Sequence, residues 1–389
     1  MIRAVRRAGY AAWAAVLCTA LLLSLPALAQ PSTQPEPRPE QPRGVSDPKG
    51  ALIIKDRYLF GPIMARAIGD RIHMQFYRGE QHYWKGRATV GYAVSDDDGR
   101  TWQERPDVVA SDKAEIYDRF AAFGRARTGR LITLFSRRFA VNEKPQLYQV
   151  ISSDDGESWS VPAPVSITAA DGVQPSAGWM YPYGPIERTP DGKLAVMTYA
   201  GEDNFVLTST DHGNTWSSRL IISSKLPNYS EMGLEILSET QWIAVSRIDG
   251  KFNRMAQFVT EDAGVTWRLL GGLDIQESAV YAAPTVDTLT INGKKVLFLS
   301  YCDRRPKKCW LQQADLASAA GSALAWGAPA LLDQGFVGLS GYQSILQSRD
   351  GRELIVAITR ERSTAVSDIV IWRMPIPEGR SRRPSAVRR

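Results

Sequence analysis

The chain has 389 residues and a formal charge of +6, with 9% aromatic and 23% charged residues. Arg3, Arg6 and Arg7 at the start and Arg380, Arg382, Arg383, Arg388 and Arg389 at the end carry that excess, leaving a body of net charge −2. Such a body has no basic footprint for nucleic acid, and beyond the first 29 residues no run of about 18 apolar residues offers a membrane span.

Residues 1–29 read as a secretory signal. "MIRAVRR" is a basic n-region, "AAWAAVLCTALLLSL" an apolar core, and "ALA" before Gln30 a small-residue cleavage site, with the cut after Ala29. Leu17 precedes Cys18 where a lipoprotein signal needs a small residue, which argues against a lipid anchor. The mature chain is therefore expected outside the cytoplasm, periplasmic or secreted. Residues 30–48, rich in Pro, Gln and Glu, read as a disordered linker. Residues 49–377 are expected to fold, and 378–389 to form a basic unstructured tail.

Two repeats organise the folded part. The first is an octet: "SDDDGRTW" at 95–102, "SSDDGESW" at 152–159, "STDHGNTW" at 209–216 and "TEDAGVTW" at 260–267. The second is a turn, usually with Gly, followed by a short apolar strand: "GDRIHMQFYR", "GRLITLFSRR", "GKLAVMTYAG", "TQWIAVSRID", "GKKVLFLSYCDR" and "GRELIVAITRER". Such strands, rich in Ile, Val, Leu and Phe, suit burial on both faces. Amphipathic helices are nearly absent. Six units of about fifty to sixty residues predict an all-β chain, a six-bladed β-propeller of four-stranded antiparallel blades; a pair of β-sandwiches is the alternative.

The octet chemistry is that of a tight turn. Its Asp accepts backbone N–H groups, Gly supplies positive φ, and Trp anchors the turn on its own sheet. A calcium loop would need alternating ligands closed by a Glu, which none of the four octets has. With His73, His82 and His212 as the only histidines and no Cys-x-x-Cys spacing, no zinc site and no cofactor are expected. Once exported, Cys302 and Cys309 are expected to form a disulfide across a short loop.

The octet resembles the Asp box of sialidases and related propellers, and the resemblance covers most of residues 50–376. In that family the box is structural and lies away from the catalytic face. Residues that follow the repeated strands are candidates for a shared pocket, and arginine is over-represented among them, as an anionic ligand would require. A sialic acid carries a carboxylate beside its anomeric carbon, which repels a carboxylate nucleophile, so sialidases use a tyrosine activated by a glutamate. "SGYQSILQSRDGRELIVAITRE" resembles the stretch bearing that tyrosine. Tyr342 falls on the nucleophile and Glu361 on the acid that orients an arginine. "YSEMGLEILSETQWIAVSR" resembles the glutamate-bearing strand, with Glu231 as the tyrosine's partner, Glu235 as the alternative, and Arg247 as one substrate-binding arginine. "CDRRPKKCW" offers Arg304 and Arg305 for another, with Arg305 preferred. Asp118 falls on a catalytic-site aspartate that helps hold the substrate, and Arg78 on a further pocket arginine.

The chain also departs from the family. Phe60, in "FGPI", stands where the first-blade arginine belongs, with Arg57 three residues earlier. No aspartate follows Arg78 as the acid/base; "GEQHYWKG" offers Glu80 and His82 instead. The resemblance implies an exo-glycosidase of sialidase type, acting as a monomer on terminal acidic sugars of a glycan or glycoconjugate. Two alternatives remain: an exo-arabinanase-like glycosidase using two carboxylates among Glu187, Glu231 and Glu235, or a propeller that binds glycans without cleaving them.

Overall fold

The structure is a computed structural model. It describes residues 50–376, apart from 57, 82–85, 110–116, 140–142, 176–179, 250–254, 274–283, 317–323, 335 and 364–365. The expected signal, linker and tail, together with Arg57 and His82, lie outside the described residues.

The described elements are strands. After β1 (Leu52–Lys55) the chain forms antiparallel meanders. The first comprises β2 (Tyr58–Arg66), β3 (Ile72–Gly79), β4 (Ala88–Ser95) and β5 (Gln103–Val109). The second comprises β6 (Tyr117–Arg125), β7 (Leu131–Arg138), β8 (Gln146–Ser152) and β9 (Ala163–Pro164). After β10 (Ile167–Ala169) comes the third, β11 (Tyr181–Arg188), β12 (Leu194–Ala200), β13 (Asp203–Ser209) and β14 (Trp216–Ser223). The fourth is β15 (Asn228–Ile236), β16 (Trp242–Asp249), β17 (Met255–Thr260) and β18 (Arg268–Leu273). The fifth is β19 (Thr285–Ile291), β20 (Lys294–Asp303), β21 (Lys308–Asp315) and β22 (Ala330–Gln334). The last, β23 (Val337–Gln347), β24 (Glu353–Ser363) and β25 (Val366–Pro375), takes β1 as its fourth strand, with Leu52 opposite Ile371. β1 thus ties the start of the described residues to the last meander.

The repeated strands of the sequence are β3, β7, β12, β16, β20 and β24, the second strand of each meander. Each is flanked on both edges by its own sheet and covered on both faces, so its residues are buried in succession: Ile72 to Tyr77 in β3, Leu354 to Glu361 in β24. Each meander's first strand lies beside a cavity of about 350 Å³ that β2, β6, β11, β15, β19 and β23 all line. Neighbouring meanders approach closely there. A Cβ at Gly124 of β6 would meet the Ile186 carbonyl of β11 at 2.3 Å.

The four octets connect the third and fourth strands of their meanders and share one hydrogen-bond pattern. In the third, Ser209 Oγ donates to Asp211 Oδ1 (2.8 Å) and accepts from the Gly213 N–H (2.9 Å). The Thr215 N–H and hydroxyl donate to Oδ1 (2.9 Å) and Oδ2 (2.6 Å) of the same aspartate. Asp97, Asp154 and Asp262 are held the same way. Both carboxylate oxygens are thus used inside the turn. One box also staples two meanders together: His73 of β3 meets Tyr92 Oη through Nδ1 (2.6 Å) and Asp155 of the second box through Nε2 (3.1 Å).

Candidate active site

Five of the first strands carry a register shift: between Phe60 and Ile63 in β2, Arg119 and Ala121 in β6, Tyr183 and Glu187 in β11, Ser230 and Gly233 in β15, and Gly341 and Gln343 in β23. In β2 and β11 a glycine with positive φ occupies the bulge, Gly61 (61°) and Gly184 (78°). In β15 and β23 the bulge residues are Glu231 (48°) and Tyr342 (55°). Bulky residues rarely adopt this conformation, and each costs on the order of 1–2 kcal/mol. Strain of this kind clusters at functional sites. Here it aims a carboxylate and a phenol at one another.

Tyr342 Oη donates to Glu231 Oε1 at 2.5 Å. The other carboxylate oxygen, Oε2, accepts from Arg247 Nη1 at 2.7 Å, and Arg247 Nε lies 2.8 Å from Asp249. Tyr342 and Glu231 are buried. Burial first, and then the Glu231 charge, push the Tyr342 pKa above the usual phenol range, against the pull of Arg304 and Arg247. The phenol is therefore protonated at neutral pH. Burial works against the Arg247 charge, but the carboxylates of Glu231 and Asp249 outweigh it and hold that guanidinium charged. The arrangement sets a phenol hydroxyl at hydrogen-bond distance from a carboxylate, the pairing that activation of a hydroxyl requires.

An aromatic wall surrounds the pair. The Phe60 ring is 4.1 Å and the Tyr183 ring 6.2 Å from the Tyr342 ring, and Tyr77 lines the same end of the cavity. Sequence reasoning did not mark Tyr183. The signal was present in the paired tetrapeptides "FGPI" and "YGPI", whose Gly-Pro bulges place Phe60 and Tyr183 at equivalent levels of β2 and β11.

The other sequence candidates separate. Arg304, rather than the preferred Arg305, faces the nucleophile candidate, its guanidinium carbon 5.7 Å from the Tyr342 ring centroid. The Arg305 side chain is exposed on the β20–β21 turn. Cys302 and Cys309 form a disulfide between directly opposed positions of β20 and β21. Asp118 is fully buried in a two-bonded pair with Arg137 (2.6 and 2.8 Å), since the two residues face each other across β6 and β7. It is absent from the lining of the cavity. Arg78 is held by Asp56, Glu104 and Asp107 at 3.4, 2.6 and 3.1 Å. Glu361 accepts from Tyr58 at 3.4 Å, and its neighbour Arg360 pairs with Asp333. Of the arginines expected to converge on one anion, Arg78 and Arg247 are thus engaged by carboxylates of this chain. Glu80 is exposed in the turn after β3.

Glu187 and Glu235 line the cavity away from Glu231, four residues along β15 in the case of Glu235, or about 13 Å. They face Asp287 of β19. Burial pushes Asp287 up to about 7, and burial with the Asp287 charge pushes Glu187 up to about 8. Glu235 is raised by burial and by both neighbours. This carboxyl group is separate from the Tyr342–Glu231 pair.

Comparison with known proteins agrees with this architecture. The intramolecular trans-sialidase of Ruminococcus gnavus, solved with oseltamivir carboxylate, superposes with a TM-score of 0.70 at 14% identity, covering 86% of this chain and 99% of that one. The NanB sialidase of Streptococcus pneumoniae gives 0.68 at 14% identity, covering 82% and 70%. A protein of unknown function from Dyadobacter fermentans gives 0.64 at 15% identity, covering 83% and 99%. At these identities the likeness is one of fold. No curated protein matches the chain in sequence. Residues 119–356 match the BNR repeat-like domain family, and the chain, an all-β protein with a sialidase-like fold, belongs to that family.

Proposed function

We propose that this protein is a retaining glycoside hydrolase of sialidase type, a six-bladed propeller whose axial cavity opens at Tyr342. The observation that carries the reading is the 2.5 Å hydrogen bond from Tyr342 to Glu231, made by two residues held at positive φ in matching bulges. In the first step Tyr342 Oη attacks the anomeric carbon while its proton passes to Glu231 Oε1. The bond to the leaving oxygen breaks, and an acid, Glu80 or His82, protonates that oxygen. In the second step the deprotonated acid takes a proton from a water that attacks the anomeric carbon, the bond from that carbon to Tyr342 Oη breaks, and Tyr342 recovers its proton from Glu231. Arg304 and Arg247 flank the reacting phenol and suit a carboxylate on the sugar. The signal-like N-terminus and the Cys302–Cys309 disulfide support action outside the cytoplasm on glycans or glycoconjugates.

A second reading rests on Phe60. With this ring 4.1 Å from Tyr342 in place of a guanidinium, a neutral sugar stacked on the aromatic wall is the competing substrate. Hydrolysis of a fluorogenic α-sialoside and of neutral arylglycosides by the mature chain separates the two. Turnover of the sialoside with retained anomeric configuration supports the first reading, and turnover of neutral glycosides alone supports the second. Binding of glycans without turnover of any substrate would refute the hydrolase.

A further inference from the structure

The cavity has a second end. Along β2, β6 and β11 its lining runs from the aromatic wall to Arg66, Arg125 and Arg188. From Phe60 to Arg66 is six residues, about 20 Å of strand. Arg66 is engaged, 2.8 Å from Asp98 and 2.9 Å from the Gln347 carbonyl. Arg125 and Arg188 differ. β6 and β11 pair in parallel with Ile186 opposite Gly124, so the two arginines leave adjacent strands at nearly the same level. Neither makes a hydrogen bond or ion pair with another described residue.

Two adjacent guanidiniums, one of them half-buried, without a carboxylate partner are costly. Burial and the Arg188 charge both act against the charge of Arg125. The acid whose field reaches Arg125 is Asp155, but that carboxylate is already held by Arg71 (3.2 Å) and His73 (3.1 Å). Glu187, the residue before Arg188, is pushed up to about 8, Asp287 to about 7, and Glu235 is raised by burial and both of these, so at neutral pH the three carboxyls of the cavity bring less negative charge than the two guanidiniums bring positive. The local charge is therefore net positive, at the mouth of a cavity large enough for a small molecule.

We propose that the Arg125–Arg188 end of the cavity is a binding site for a small oxyanion, a carboxylate or a tetrahedral phosphate or sulfate, gripped by the two guanidinium forks. The site is distinct from the Tyr342 end and does not depend on the activity proposed for it.

Isothermal titration of the full chain with sodium phosphate, sodium sulfate and sodium malonate, at fixed ionic strength, tests the site. The expected result is binding of at least one class in the wild type. That binding is weakened ten-fold or more by Arg125→Gln, clearly weakened by Arg188→Gln, and partly kept by Arg125→Lys, which also serves if the Gln variant fails to fold. Phosphate or sulfate binding identifies a tetrahedral ligand, malonate binding a carboxylate. Equal affinity in the wild type and both Gln variants, or no heat at tens of millimolar anion, overturns the proposal.

Discussion

Asp287 gives the sharpest test of the electrostatics inside the cavity. Burial alone raises its pKa from 3.8 to about 7. The folded state therefore holds a proton that the unfolded chain has already released. Stability is unaffected below about pH 4, falls as pH rises, and stops falling above about pH 7. Three units at 1.36 kcal/mol each give a total cost of about 4 kcal/mol, of which about 3 kcal/mol falls between pH 5 and pH 8.5. Asp287→Asn keeps the shape of the protonated acid and cannot ionise. Whatever fixed offset the amide introduces does not change with pH. Urea denaturation of both proteins at pH 5 and 8.5 should show the variant gaining about 3 kcal/mol relative to wild type at the higher pH. Glu187, raised partly by the Asp287 charge, should add to that gain. A stability difference that is the same at both pH values would refute the reasoning and mean that the cavity solvates its carboxylates.

Three further outcomes follow from the same geometry. Asp118→Asn should destabilise the protein by about 3–5 kcal/mol, because it leaves Arg137 buried without a counter-charge. Asp118→Asn with Arg137→Met should recover much of that loss in a urea melt, and a stable but inactive single variant would return Asp118 to a role in the chemistry. Asp211→Ala, which removes the acceptor at the centre of an Asp box, should cost about 1–2 kcal/mol and leave turnover per folded molecule unchanged; lost turnover at unchanged stability would make the box functional. Phe60→Ala should cost about 3–5 kcal/mol by opening a hole beside Tyr342, and an unchanged melt would mean the ring does not pack as described.

Much of the scaffold was legible because it repeats. Four octets and six apolar strands announce themselves by period, and each octet's hydrogen bonds follow from its own residues. The first strands were harder to read. β2 and β11 face a cavity on one side and carry Gly-Pro bulges, so neither the alternating pattern nor the buried-strand pattern marks them. Tyr183 was missed for that reason. The partners of the arginines were also invisible: Asp118 meets Arg137 through the register of β6 on β7, and Asp333 meets Arg360 across 27 residues of chain. A one-dimensional reading counts such arginines as available, whereas the fold commits them. Tyr342 and Glu231 were reached through motif resemblance, and nothing local to either residue shows that they meet across 111 residues.

The central claim is that Tyr342 forms the bond to the sugar. Incubation of the mature protein with a 2,3-difluorinated sialyl fluoride, which slows release of a glycosyl-enzyme, followed by mass spectrometry of proteolytic peptides, tests it directly. A glycosyl adduct is expected on Tyr342 in the wild type, none in Tyr342→Phe, and slower adduct formation in Glu231→Gln. Turnover of the parent α-sialoside with no adduct on Tyr342, or an adduct on any carboxylate, would contradict it.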